Sequence, residues 1–202
     1  MKYIPKNSVC ILLCFLLAIS VSGCSGGTAI TEKNINQTVL EVEKALKDFD
    51  EESLKKYVES DTLSKILTVS NGKEQFVKLG QAIFEELSID VEKIDVENAT
   101  VTVSVINRDL YQPAADFAEE LNSNYTPIQL LGKLKDDYFL DTNLAELTEQ
   151  IESAPMQEAP QSITLTVKKG KKNLILCFDE DAENAVSGGA LGAIMKTFSA
   201  SL

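Results

Sequence analysis

Carboxylates and tyrosines are the residues of this chain whose chemistry could support catalysis. The 202 residues include 31 aspartates and glutamates and 5 tyrosines but no histidine. This composition excludes Ser-His-Asp and Cys-His nucleophilic systems and histidine-containing zinc sites. An acid and a tyrosine that meet in an apolar pocket can still exchange protons with a substrate. The candidates for such a pair are Asp90, Asp95, Asp109, Tyr57, Tyr111, Tyr125 and Tyr138. Their spacing selects no pair, so the sequence predicts no catalytic residue.

Two further groups of residues could bind or react. Residues 179–183 are mostly acidic, but an EF-hand loop that began at Asp179 would need glycine at its sixth position and glutamate at its twelfth. The chain has Asn184 and Ala190 there. We therefore interpret the acidic run as the first turn of a helix, where acids interact favourably with the helix dipole. Cys177 lies in an apolar segment without an adjacent cation that would activate it, and we interpret it as a structural thiol. No metal site and no cofactor are predicted.

Cys24 has the most informative context of the four cysteines. A start with two lysines precedes an apolar run at residues 9–21, and two small residues then lead to Cys24. This order is typical of a secretory signal peptide, and Val21-Ser22-Gly23-Cys24 resembles a bacterial lipobox, in which the cysteine is lipidated and the chain is cut before it. We predict a signal peptide over residues 1–23, lipidation of Cys24 and a tether over residues 24–33. The alternative is an uncleaved transmembrane anchor, although the apolar run is shorter than the roughly 20 residues that a spanning helix needs.

Charge and cysteine content restrict the partners and the domain organisation. Removal of residues 1–23 would leave 179 residues with 17 basic and 31 acidic side chains, a formal net charge of −14. Because such a surface repels phosphate backbones, we predict no nucleic-acid partner. Cys177 would be left without a disulfide partner. A chain of this length can bury roughly 70% of its unfolded surface, so residues 34–202 are predicted to fold as one domain without crosslinks.

Helical spacing of apolar residues dominates two stretches of the chain. It predicts helices within residues 34–87 and again within residues 113–153. Gly80 lies on the apolar stripe of one of these helices, which predicts the close approach of another backbone. Asp141 is predicted to cap the last helix of the second stretch.

Period-two alternation predicts two hairpins, at residues 88–107 and 163–178. A change of parity in the first hairpin indicates a bulge near Glu92. The turn of the second hairpin carries four lysines at residues 168–172, which are interpreted as a solvated turn that blunts edge pairing or as a docking site for an anionic partner. The order of helices, hairpin, helices, hairpin and helix predicts an α+β fold, with an antiparallel sheet packed against helices and a helical insertion between the hairpins.

These features resemble a group of largely uncharacterised lipoproteins of low-GC Gram-positive bacteria, whose extracellular domain has the nuclear-transport-factor-2-like (cystatin-like) fold. The resemblance is carried by the lipobox, by the strand pair at residues 89–106 after three helices, by the closing hairpin and by residues 183–189. The chain departs from the group at Asn173-Leu174, where its members often have a Lys-Trp pair. The resemblance implies a curved sheet that wraps a helix layer around an apolar cone, and it implies no catalytic residues.

The sequence favours a lipid-anchored domain on the extracellular face of the cell membrane that is not an enzyme. We predict that it contacts the membrane through its N-terminal lipid and binds a small apolar ligand or a peptide in the cone. Tyr111 and Tyr125, which flank the first inserted helix, and Tyr57 are the candidate binding residues, because exposed tyrosines suit a binding surface. One alternative is a histidine-free acid–base enzyme with an isomerase-like or dehydratase-like pocket. The other is a modulatory subunit of a membrane complex, which a large exposed apolar patch would favour.

Overall fold

The structure, a computed structural model, describes residues 28–70 and 72–199. The predicted signal peptide, Cys24 and the first part of the predicted tether lie outside the described residues. The helices are α1 (Glu32–Asp48), α2 (Glu51–Tyr57), α3 (Asp61–Ser70), α4 (Glu74–Phe84), α5 (Tyr111–Asn124), α6 (Pro127–Lys133), α7 (Asp137–Ser153), α8 (Glu180–Val186) and α9 (Ala190–Ser199). The strands are β1 (Val58–Glu59), β2 (Ser88–Asp95), β3 (Thr100–Ile106), β4 (Gln161–Lys169) and β5 (Leu174–Cys177). Within the described ranges, no helix has the length and apolar character that crossing a membrane requires.

The five strands form one mixed sheet in the order β1-β5-β4-β3-β2. Neighbouring strands are antiparallel except at one edge, where β1 runs parallel to β5 and Val58 lies opposite Leu176. The α+β prediction is confirmed, whereas the prediction of a fully antiparallel sheet is wrong at this edge. A two-residue strand has no hydrophobic period that a sequence could show. Its pairing depends on residues far along the chain, for example the hydrogen bond of 2.9 Å from the Phe178 N–H to the Glu59 carbonyl.

Both predicted hairpins are present, and each gives the sheet one buried and one wet face. The predicted bulge is confirmed by a register shift between Val91 and Lys93. Val101, Val103 and Val105 of β3 are fully buried. On the opposite, exposed face the hydroxyls of Thr102 and Thr164 lie 3.0 Å apart in a cross-strand hydrogen bond. Water can cover the polar face of the sheet, whereas the apolar face must be covered by helices.

Helix α1 packs across the apolar face of the sheet and builds the main core. Its stripe of Ile35, Val39, Val42 and Leu46 is at most 1% exposed and shares one cluster with the valines of β3 and with Leu165 and Leu176. The helix ends at Phe49, which adopts a left-handed backbone conformation with φ of 47°. The Phe49 ring, not another backbone, occupies the space beside Gly80 of α4. The prediction about Gly80 is therefore wrong in the identity of the neighbour, since a glycine on an apolar stripe indicates only that some atom is close.

Helices α5, α6 and α7 form the predicted insertion between β3 and β4. Helix α5 packs on α9 through alanines, with Ala114 beside Ala190 and Ala193 in a second cluster. Asp136 caps α7, since its carboxylate accepts the backbone N–H groups of Tyr138 at 3.1 Å and Phe139 at 3.4 Å. The prediction of Asp141 as this cap is wrong, because the helix has already begun and Asp141 accepts a hydrogen bond from the Gln75 side chain.

Candidate functional site

The space between α1 and the sheet, where the resemblance implied an apolar cone, is filled by side chains. Val39, Val42 and Leu46 of α1 meet Val103 and Leu165 of the sheet, and each is at most 2% exposed. Apolar side chains packed to this extent leave no space for a ligand of drug-like size, which needs a cavity of roughly 300 Å³ or more. A binding site in the described part of the chain must therefore lie on its surface.

The three candidate tyrosines do not come together. Tyr57 lines a recess beside Lys172, and its hydroxyl accepts a hydrogen bond of 2.8 Å from Lys56. Tyr111 lies in a different recess beside Gly188, and its hydroxyl is 3.2 Å from the Lys196 ammonium group. The ring of Tyr125 packs edge-on against Phe139, with 5.6 Å between the ring centroids. They therefore do not form one shared binding surface.

The acid–tyrosine pairs considered from the sequence are also separated. Tyr138 is 80% exposed at the start of α7. The Asp95 carboxylate accepts two hydrogen bonds from Asn98 within the β2–β3 turn. Asp109 and Tyr111 do line one recess, but Asp109 contacts the Tyr111 backbone N–H at 3.4 Å.

A cleft of about 370 Å³ lies where β1 and β5 end and α3 and α8 begin. We call it the acidic cleft, because its walls carry five carboxylates: Glu59, Asp61, Asp179, Glu180 and Glu183. Phe178 and Met195 add apolar surface, and Met195 is 54% exposed. The cleft therefore combines negative charge with an accessible apolar side chain.

The parallel pairing of β1 and β5 builds this cleft. Since the two strands point the same way, both chains turn into helices at the same edge of the sheet. Asp179 caps α8 by accepting the Ala182 N–H at 2.9 Å, and the Ser60 hydroxyl oxygen accepts the Leu63 N–H at 2.9 Å where α3 begins. The Ser60 hydroxyl also donates to the Glu183 carboxylate and so joins the two helix starts.

The negative charge of the acidic cleft is only partly compensated. Lys168 forms an ion pair with Glu59, and this hydrogen bond raises the pKa of the lysine. Asp179 and Glu183 are occupied by the hydrogen bonds just described. Asp61 and Glu180 are exposed, and neither has an ion-pair or hydrogen-bond partner for its carboxylate among the described residues. These two carboxylates are the ones that can bind a cationic group without breaking an existing contact.

Cys177 lies in the wall of the acidic cleft and is partly buried. Burial raises the pKa of its thiol, the charge of Glu59 raises it further, and Lys168 opposes both effects. No cation is next to this thiol in the sequence, whereas in the fold Lys168 reaches it from the adjacent strand, where Thr166 is opposite Cys177. The thiol is protonated at neutral pH, which agrees with a structural role rather than a nucleophilic one.

Sequence reasoning identified the acids at residues 179–183 but not their partners across the cleft. Glu59 and Asp61 lie more than a hundred residues earlier, and only the pairing of β1 with β5 brings them near. Within the described ranges, no three acidic or cysteine side chains are grouped in a way that could hold a metal ion.

Comparison with protein-family models, with curated proteins and with solved structures finds no match to this chain.

Proposed function

We propose that this protein is a lipid-anchored, non-enzymatic binding module on the extracellular face of the cell membrane, and that its acidic cleft binds a cationic, partly apolar peptide segment of a partner. In this proposal Cys24 carries the lipid, and at least two acyl chains hold the protein on the membrane, where one would do so only marginally. The acidic cleft replaces the interior as the binding site, because the interior is filled by side chains.

One observation carries the binding proposal: two unpaired carboxylates, Asp61 and Glu180, share a cleft with an exposed methionine. Carboxylates at the rim of a site attract and orient a cationic partner. An accessible Met195 can pack against an apolar side chain between the cationic ones, since methionine adapts its shape to different partners. A peptide that alternates lysine or arginine with apolar residues meets both requirements.

The proposal also assigns the domain to the nuclear-transport-factor-2-like (cystatin-like) group. The order of α1 to α4, hairpin, inserted helices and closing hairpin supports this assignment, as does the packing of α1 on one face of the sheet. In this assignment β1 is an addition that extends the sheet and builds the acidic cleft.

Metabolic labelling with palmitate tests the lipid anchor. We expect the wild-type chain to incorporate the label and sediment with membranes, and Cys24→Ser to lose both properties. Cys177→Ser is the matched control, which should keep both label and membrane retention. Equal labelling and retention of wild type and Cys24→Ser would refute the anchor.

A fluorescent peptide of alternating lysine and phenylalanine tests the acidic cleft. With lipidated full-length protein in detergent micelles, we expect Asp61→Asn/Glu180→Gln to weaken binding about five- to thirtyfold, in line with the loss of two exposed charge contacts of about 0.5–1 kcal/mol each. Glu119→Gln/Glu120→Gln changes the net charge equally at exposed positions of α5 and should leave binding within about twofold. If both double variants weaken binding to the same extent, the effect is nonspecific charge attraction and the cleft is not the site.

A further inference from the structure

The described chain starts beside a lysine-rich turn. Thr28, the first described residue, lines a recess of about 150 Å³ together with Tyr57, Lys172 and Asn173. Thr28 is four residues from Cys24, and four residues of extended chain reach at most about 14 Å. A lipid on Cys24 therefore places the bilayer surface close to the turn between β4 and β5.

Two hydrogen bonds of Asn173 connect the β4–β5 turn to helix α2. The Asn173 side chain donates a hydrogen bond of 2.6 Å to the Lys56 carbonyl at the end of α2. Across the turn, the Gly170 N–H donates to the Asn173 carbonyl at 2.8 Å. Helix α2 and the β4–β5 turn thus present their side chains from one end of the domain.

Five lysines form what we call the basic end: Lys33, Lys56, Lys169, Lys171 and Lys172. All five are exposed, and none forms an ion pair within the described residues. Lys55 and Lys168 lie nearby but are neutralised by Glu51 and Glu59. Glu32 precedes Lys33 at the start of α1, Glu41 lines the same recess, and Asp95 and Glu97 lie in the β2–β3 turn at the same end of the sheet. Five lysines without an ion pair against these four acids contrast with the excess of acids in the sequence as a whole.

We propose that the basic end is a membrane-facing surface that binds the anionic headgroups of the bilayer in which the lipid anchor is inserted. This inference rests on the lipid anchor of the proposed function. Each lysine near an anionic surface contributes about fivefold to membrane partitioning, and the attraction acts within about one Debye length. The acidic cleft lies beyond the opposite end of β5, so the headgroup contact directs the cleft away from the membrane and towards a partner.

Lysine acylation footprinting tests the orientation. Lipidated full-length protein is reconstituted into vesicles of phosphatidylcholine alone or with about one third phosphatidylglycerol, and modification rates are measured by mass spectrometry. We expect Lys169, Lys171 and Lys172 to react at least fivefold more slowly on the anionic vesicles, and about 0.5 M NaCl to remove the difference by screening. Lys65 of α3 and Lys135 of the turn between α6 and α7 are exposed lysines outside the basic end and should react equally on both vesicles.

Charge reversal provides the second readout. Lys171→Glu/Lys172→Glu should abolish the protection of Lys169 on anionic vesicles, whereas Lys65→Glu/Lys135→Glu should preserve it. Equal rates on the two vesicle types for the wild-type protein, or equal effects of the two double variants, would overturn the proposal. Failure of the lipid anchor is a separate result, because the protein would then not sediment with phosphatidylcholine vesicles.

Discussion

Asn107 is a fully buried polar side chain that joins three elements of the fold. Its amide nitrogen donates to the carbonyls of Ile83, at the end of α4, and Val186, at the end of α8, at 2.9 and 2.8 Å. Its amide oxygen accepts the Arg108 N–H at 2.8 Å. One side chain thus satisfies three backbone groups at a point where neither a helix nor the sheet can satisfy them.

Replacement of Asn107 by alanine is expected to destabilise the domain by about 3 kcal/mol or more. The substitution leaves two carbonyls and one N–H without partners, and each unsatisfied buried group costs about 1–3 kcal/mol. Urea unfolding followed by circular dichroism measures the change in the free energy of unfolding. Asn36→Ala is the control, because Asn36 is exposed and donates only to the preceding turn of its own helix; its effect should stay below about 0.5 kcal/mol. Similar losses in both variants would contradict this role of Asn107.

At the scale of helices, the fit between α1 and α4 depends on a glycine. A Cβ atom at Gly80 would overlap the Phe49 ring, and that ring is held by the left-handed end of α1 and by stacking on Phe84 at a centroid distance of 6.5 Å. The ring has little room to move, because Phe49 is 5% exposed. The glycine is therefore required by packing and not by its backbone conformation.

Gly80→Ala and Gly132→Ala form a matched pair that separates packing from helix propensity. Alanine is favoured over glycine in a helix by about 1 kcal/mol, and a Cβ at Gly132 of α6 meets nothing within 4 Å. We expect Gly132→Ala to raise the free energy of unfolding by up to about 1 kcal/mol, and Gly80→Ala to lower it by about 1–3 kcal/mol because the overlap outweighs the propensity. Thermal unfolding of the two variants measures both signs. Stabilisation by Gly80→Ala would show that the Phe49 ring can move aside.

The elements that could be predicted from the sequence are those whose pattern repeats. The stripe of α1 spans about three turns, and the alternation of Val101, Val103 and Val105 defines β3 and its buried face. The strand β1 could not be predicted, since two residues contain no repeat and their partner lies in β5. The acidic cleft depends on that pairing. From the sequence, only the acids at the start of α8 could be identified as a group, and not those of β1 and α3.

The N-cap of α7 was predicted wrongly for a different reason. Asp136 and Asp141 both precede helix-compatible residues, and the pattern does not distinguish them. Asp136 is the cap because the chain is extended there, with ψ of 108°. That backbone conformation follows from how α6 turns into α7, which is a property of the packed insertion rather than of the local sequence.

At the scale of the whole molecule, acidic groups at helix starts and turns make the stability sensitive to low pH. Hydrogen bonds lower the pKa of Asp50 from its ordinary value of 3.8, chiefly the one with the Ser53 side chain at the start of α2. A hydrogen bond with the Asn98 side chain is the main cause that lowers the pKa of Asp95 in the β2–β3 turn. Both carboxylates bind protons less readily in the folded state than in the unfolded state. Their contribution is therefore present above pH 3.8 and is lost as the pH falls through their folded-state pKa values.

Asp50→Asn/Asp95→Asn should weaken the dependence of stability on pH in this acidic range. Asparagine keeps an oxygen that can cap α2, since it is as good an N-cap as aspartate, but it does not titrate. We expect the wild-type protein to lose more of its free energy of unfolding than the double variant between about pH 5 and pH 2. Urea unfolding at several pH values measures the two slopes. Glu119→Gln/Glu120→Gln removes the same number of charges from exposed helix positions and should keep the wild-type slope. A slope in the aspartate variant as steep as that of this control would exclude the Asp50 and Asp95 carboxylates as a cause.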